Sequence, residues 1–109
     1  MKLQVLELVS FKLAPGSSEA EMPAASGIFQ SEFLQRQEGF LLRLTARRDD
    51  GSYVDVVLWE SQARADVALE RSQSSSAAAQ FLAHILMDPE NAEPKMEHCA
   101  VLRRAGHGA

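Results

Sequence analysis

Residues 40–60 read FLLRLTARRDDGSYVDVVLWE, two apolar runs around Asp49-Asp50-Gly51-Ser52. β-Branched and aromatic residues on either side of an Asp-Gly turn predict a hairpin, with strands over 40–48 and 53–60. The turn decides the register. A two-residue turn on Asp50-Gly51 pairs Arg48 with Tyr53 and sets Arg43, Thr45 and Arg47 on the face of Val54, Val56 and Leu58. A three-residue turn with Gly51 left-handed pairs Arg48 with Ser52, and then Phe40, Leu42, Leu44, Ala46, Val54, Val56 and Leu58 form one apolar face. The second register is adopted, because a slip of one residue carries the whole apolar set to the other side. That face is expected under the helices. Leu41, Arg43, Thr45, Arg47, Tyr53, Asp55, Val57 and Trp59 make a mixed face, expected on the open side.

Working outward, residues 2–13 are dense in Leu, Val and Phe until Ala14-Pro15-Gly16-Ser17-Ser18 breaks the run, which predicts a first strand. Its apolar residues fall on both faces: Leu3, Val5, Val9 and Phe11 on one, Leu6 and Leu8 on the other. Both faces should therefore be covered. Ser18 and Glu21 resemble a capping box for a helix running to about Gln37 on Met22, Ala25, Phe29 and Phe33. Pro23 and Gly27 weaken its first half, so it should begin irregularly or late. Ser61 caps a helix from Gln62 to about Ser72. A further helix buries Ala78, Phe81, Leu82, Ile85 and Leu86 and ends before Asp88-Pro89. The last strand is expected over 93–104.

The order strand, helix, strand, strand, helix with a helical extension, strand is the βαββαβ motif of an α+β, ferredoxin-like sandwich, with an antiparallel sheet in the order 4-1-3-2. One domain over 1–104 with a tail at 105–109 is expected, His107 being idle in that tail. Helices on one side of the sheet leave its other face apolar and uncovered. A second copy of the same sheet is the simplest cover, so a homodimer through the open face is expected.

The chain of 109 residues is 46% hydrophobic and 24% charged, the composition of a globular protein. A net charge of -4 with pI about 5.3 argues against nucleic acid as a partner. Arg47-Arg48 and Arg103-Arg104 read as solvated strand ends. Cys99 is the single cysteine, so an internal disulfide cannot form and a reducing cytoplasm is the expected location. No segment approaches the ~18 apolar residues of a membrane span. Gly-rich phosphate loops, Gly-x-Ser-x-Gly elbows and His-Glu-x-x-His helices are missing from the sequence, and no cofactor and no metal are expected.

Three runs carry a resemblance: VSFKLAPG at 9–16, FLQRQEGF at 33–40 and DVVLWES at 55–61. They resemble the dimeric α+β barrel superfamily, specifically its antibiotic-biosynthesis-monooxygenase-like branch, over nearly the whole chain. The resemblance implies pairing of two sheets into a barrel. It also implies an activity among cofactor-free quinol and polyketide oxygenases, haem-degrading enzymes, lactone isomerases, or members without a known reaction.

Within that resemblance Trp59, in its Trp-Glu-Ser setting, matches a pocket-lining Trp of polyketide-oxidising relatives, which have an Asn four residues earlier. Asp55 stands there in this chain. On one strand face the two lie about 13 Å apart, able to bracket a planar aromatic. An ionised Asp only accepts hydrogen bonds, so Asp55 is the candidate base, Trp59 the pocket wall and Arg43 the anion partner. The competing reading makes Trp59 dimer core and pairs Asp55 with Arg43 across the hairpin. Glu7, a carboxylate on a covered strand, needs a partner or a task; Arg43, His98 or solvent are its candidates. Haem-degrading relatives use a helix His, which His84 matches, but residues 2–13 contain no Asn and Ala68 stands where their helix Trp falls. The reading is thus a cofactor-independent monooxygenase or related isomerase acting on a small aromatic or quinol-like compound. Its alternative is a non-catalytic dimer that binds a small molecule or serves a stress role, with haem degradation disfavoured.

Overall fold

Gly51 has φ +87°, Arg48 N–H donates to Ser52 O at 2.7 Å, and Gly51 N–H donates to Arg48 O at 3.0 Å. This is the three-residue turn with its glycine left-handed, and the pairing of the hairpin follows from it. The computed structural model describes residues 2–106, so His107 and the end of the 105–109 tail lie outside the described residues.

The strands are β1 (Val5–Phe11), β2 (Phe40–Arg47), β3 (Tyr53–Trp59) and β4 (Lys95–Ala100); the helices are α1 (Met22–Glu32), α2 (Gln62–Ser72) and α3 (Ser76–Leu82). The sheet is antiparallel in the order β2-β3-β1-β4, the ferredoxin-like order expected. Ser61 and Ser75 hold the starts of α2 and α3 by accepting from the N–H groups of Arg64 and Ala78. α1 starts late. Glu21 N–H donates to Ser18 Oγ at 3.3 Å, and the helix proper begins only at Met22, with Pro23 in its first turn, where a missing N–H costs nothing. It gives way at Phe33 to a tighter turn over Leu34–Arg36. α3 stops at Leu82, short of Asp88, and Ile85 instead bridges Leu13 while Leu86 N–H donates to Lys12 O. β4 is shorter than the run from 93 to 104. No described helix is long and apolar enough to cross a membrane.

The face assignment of the hairpin is inverted. Tyr53, Asp55, Val57 and Trp59 are buried beneath the helices, and Arg43 lies with them. Leu42 and Leu44, 45% and 58% exposed, point the other way, on the face of their cross-strand partners Leu58 and Val56 and of Leu6 and Leu8 beyond. Two features explain the inversion. A break in register between Phe40 and Leu42 puts Phe40 on the helix side, edge-on to Trp59 with ring centroids 5.9 Å apart, so Phe40 does not share a face with Leu42. Arg43, Thr45 and Asp55 also satisfy one another, as detailed below, and a polar set that closes on itself can be buried. Large aromatics then decide which face is core. Trp59 packs with Phe33, Leu34, Ala65, Ala68 and Ala77, and Phe11 and Tyr53 with Met22, Ala25, Phe81 and Ile85.

Gly39 links α1 to β2. It has φ +89°, and a Cβ there would lie 2.6 Å from Arg64 Cγ and 2.7 Å from Arg64 Cβ, so only glycine lets α2 lie this close to the chain.

Candidate functional site

Pairing of β1 with β3 and β4 sets Glu7 opposite Val57 and His98. All three face the helices, and so does Asp55 two residues from Val57. Helices α2 and α3 lie over this part of the sheet and leave a cavity of about 170 Å³ beneath them. Its walls are Val9, Phe11, Phe29, Leu34, Val57, Ala68, Ala78, Phe81 and Ile85, and two carboxylates, Glu7 and Asp55, face into it. Leu69, Ser72, Leu82, Pro94 and Met96 complete the lining. Leu69, Leu82 and Met96 are each more than two-fifths exposed, which places the mouth between the ends of α2 and α3 and the start of β4.

The two carboxylates differ in their partners. Arg43 clamps Asp55, its Nε donating to Oδ1 and Oδ2 at 2.9 and 3.1 Å and its Nη2 to Oδ2 at 2.8 Å. Thr45 Oγ1 adds a bond to Oδ1 at 2.8 Å. Both ends of the ion pair are buried, with side chains 6% and 7% exposed. The guanidinium is further held by Ser26 O at 3.1 Å and lies 5.2 Å from the ring centre of Phe29 and 5.4 Å from that of Phe81, distances at which a ring face attracts a cation. Such a clamp is rigid, and it occupies the lone pairs that a base at Asp55 would need.

Among the described residues Glu7 accepts one side-chain hydrogen bond. Trp59 Nε1 donates to Glu7 Oε2 at 3.2 Å, and His98 Nε2 stands 3.9 Å from Oε1. Burial among apolar walls pushes the Glu7 carboxyl above the usual carboxylate range; the Trp59 bond and the nearness of His98 pull it partway back, and Asp55 adds a smaller upward push. A buried carboxyl with one unbonded oxygen facing an apolar cavity has the makings of an acid-base group.

The structure therefore brings Glu7, Asp55, Arg43, Trp59 and His98 together and leaves His84 out. Only Glu7 and Asp55 of that set line the cavity; Trp59 is buried beside it, with its indole turned into the Phe33 and Ala65 cluster. His84 Nδ1 lies 3.2 Å from Ser17 Oγ in the loop after β1, away from the cavity lining. Phe29 and Phe81, whose rings stack at 5.2 Å, are the site residues that sequence reasoning missed. Each shows at helical spacing as core, but nothing in the sequence says that α1 and α3 meet over Arg43.

No protein-family model matches the chain, and no curated protein matches it by sequence. Solved structures do. SnoaB, a cofactor-independent oxygenase from Streptomyces nogalater, is 20% identical with a TM-score of 0.64, over 98% of this chain and 99% of that one. A monooxygenase from the gene ActVA-Orf6 of Streptomyces coelicolor, in complex with the ligand nanaomycin D, is 19% identical with a TM-score of 0.64, over 98% of this chain and 94% of the other. A Bordetella bronchiseptica protein classed with the antibiotic biosynthesis monooxygenases reaches a TM-score of 0.74 at 17% identity, over 94% of this chain and all of its own. These identities speak for architecture, and the chain has the fold of the antibiotic-biosynthesis-monooxygenase-like proteins.

Proposed function

We propose that this chain is a cofactor-independent monooxygenase, or a related isomerase, acting on a small aromatic or quinol-like compound in the cavity between the helices and the sheet. The observation that carries the reading is the largely apolar cavity under the helices with the Glu7 and Asp55 carboxylates in its lining. Solved structures of the same fold named as oxygenases support it. The chemistry suits a site of this make-up. An electron-rich phenol that loses its proton can itself reduce O₂: the ring C–H bond breaks, a second C=O forms, and phenol plus O₂ becomes quinone plus water with every electron drawn from the ring. The protein then supplies shape, a proton acceptor and fixed charge near the developing anion. For an isomerisation the same acceptor and the same cavity suffice.

The open sheet face completes the assembly in this reading. Leu6, Leu8, Leu42, Leu44, Val54 and Val56 lie on one surface free of helices, and a second copy laid sheet to sheet covers it. Interface and cavity then use opposite faces of one sheet and do not compete for side chains.

One observation favours the rival, a non-catalytic binder: the oxygens of Asp55 are already taken by Arg43 and Thr45. Oxygen uptake with a panel of hydroquinones and naphthols, without added metal or cofactor, separates the two. Turnover above the autoxidation rate is expected. Binding of panel members, seen as a raised melting temperature with no oxygen consumed, would leave the binder.

A further inference from the structure

Among the polar atoms facing the cavity, one lacks a hydrogen bond. Asp55 is saturated by Arg43 and Thr45. Glu7 Oε2 takes the Trp59 N–H at 3.2 Å, while Oε1 accepts no hydrogen bond among the described residues, His98 Nε2 standing off at 3.9 Å. A ligand in the cavity therefore meets apolar walls and one vacant acceptor.

Size limits the ligand. An apolar cavity of roughly 150 Å³ holds benzene, whereas drug-sized molecules use about 300–1,000 Å³. At about 170 Å³ the cavity has room for one ring with small substituents.

Charge narrows it further. Glu7 is faced by His98 from β4 and by Asp55 from β3, with Arg43 from β2 neutralising Asp55. Helices α1, α2 and α3 add Phe29, Leu69, Ser72 and Phe81 to the lining but no charged group. An ammonium ligand would have to shed its hydration and bring three N–H donors among apolar walls that offer one vacant acceptor. A phenolate would face the Glu7 carboxylate. A neutral O–H donor avoids both costs and fills the vacant acceptor.

We infer that the cavity takes a single-ring phenol or hydroquinone in its neutral form, its ring against Phe29 and Phe81 and its hydroxyl donating to Glu7 Oε1. This rests on the cavity being the ligand site, as proposed above.

The test uses the full chain and 4-nitrophenol, whose neutral and ionised forms absorb at different wavelengths. Wild type should bind the neutral form, and its apparent affinity should fall about tenfold per pH unit once the free phenol ionises. Benzylamine and three-ring anthrol should bind at least tenfold more weakly. Glu7→Gln offers an amide that both donates and accepts, so its affinity should change by less than threefold over the same pH range. A Glu7→Gln pH profile that overlays wild type would overturn the Glu7 contact and leave the cavity reading standing. Absence of any 4-nitrophenol binding by wild type would overturn both. Should Glu7→Gln fail to fold, the wild-type complex decides alone: a bound ligand with the phenolate spectrum refutes the inference, and a bound ligand that stays neutral at a pH above the free phenol's pKa supports it.

Discussion

Trp59 and Glu7 are diagonal neighbours on the helix-facing side of β3 and β1, and the indole Nε1 donates to Glu7 Oε2 at 3.2 Å. The bond spans two strands that meet only in the folded chain. It fixes one oxygen of a carboxylate that lines the cavity and leaves the other without a hydrogen bond among the described residues. Trp59 is accordingly a positioning residue for Glu7. Because its N–H stabilises the ionised form, Trp59→Phe should raise the Glu7 pKa further above its ordinary 4.5. A ¹³C-detected titration of the carboxyl would measure this, and an unchanged or lowered value would sink the assignment.

Burial of Glu7 also ties stability to pH. With its folded pKa raised above the unfolded value near 4.5, the native chain holds a proton that the unfolded chain has released. The stabilisation is complete below that value and is lost as pH rises through the folded pKa. Glu7→Gln keeps an acceptor for Trp59 without the ionisation, so it should melt above wild type at pH 8, with the gap closing towards pH 4. Calorimetric melts at both pH values check the sign.

The buried Arg43–Asp55 pair is costly to break from one side. Asp55→Ala strands a guanidinium whose side chain is 6% exposed, and a loss of about 3–5 kcal/mol is expected. Replacing both partners, Arg43→Met with Asp55→Leu, should recover at least half of that loss, because no charge is left unpaired. Urea midpoints of the two variants make the comparison.

Gly39→Ala should destabilise by more than about 1 kcal/mol. Its φ of +89° disfavours any side chain, and the new Cβ would meet Arg64 Cγ at 2.6 Å. Arg64→Ala in the same background removes the Cγ contact but keeps the 2.7 Å approach to the residue 64 Cβ and the backbone strain, so recovery in a urea melt should be partial.

The proposed assembly predicts that wild type sediments as a dimer and that Leu44→Glu sediments as a monomer. Leu44 is 58% exposed on the open face and away from the cavity, so the substitution leaves the helix side untouched. A monomeric wild type across micromolar concentrations would remove the sheet-to-sheet pairing.

The hairpin shows where sequence reading succeeds and where it stops. Asp49-Asp50-Gly51 encodes its own turn, since one left-handed glycine admits a single pairing of Arg48 with Ser52, and the cross-strand partners from Leu42 to Arg47 follow from it. Element order, the strand order 4-1-3-2 and the diagonal meeting of Arg43 with Asp55 are local or nearly local consequences of period and turn chemistry. Which face of that hairpin is core is not local. Two apolar or half-apolar faces compete, and the outcome depends on Phe29 and Phe81 arriving from separate helices to cover Arg43, and on the register break after Phe40. By itself the sequence determined a doubly apolar four-stranded sheet with carboxylates at positions 7 and 55. Only tertiary structure decided that both carboxylates point under the helices and that Leu42 and Leu44 point away. It also settled that Asp55 is saturated while Glu7 keeps an oxygen without a hydrogen bond among the described residues, because hydrogen-bond saturation depends on side chains brought together from distant parts of the chain.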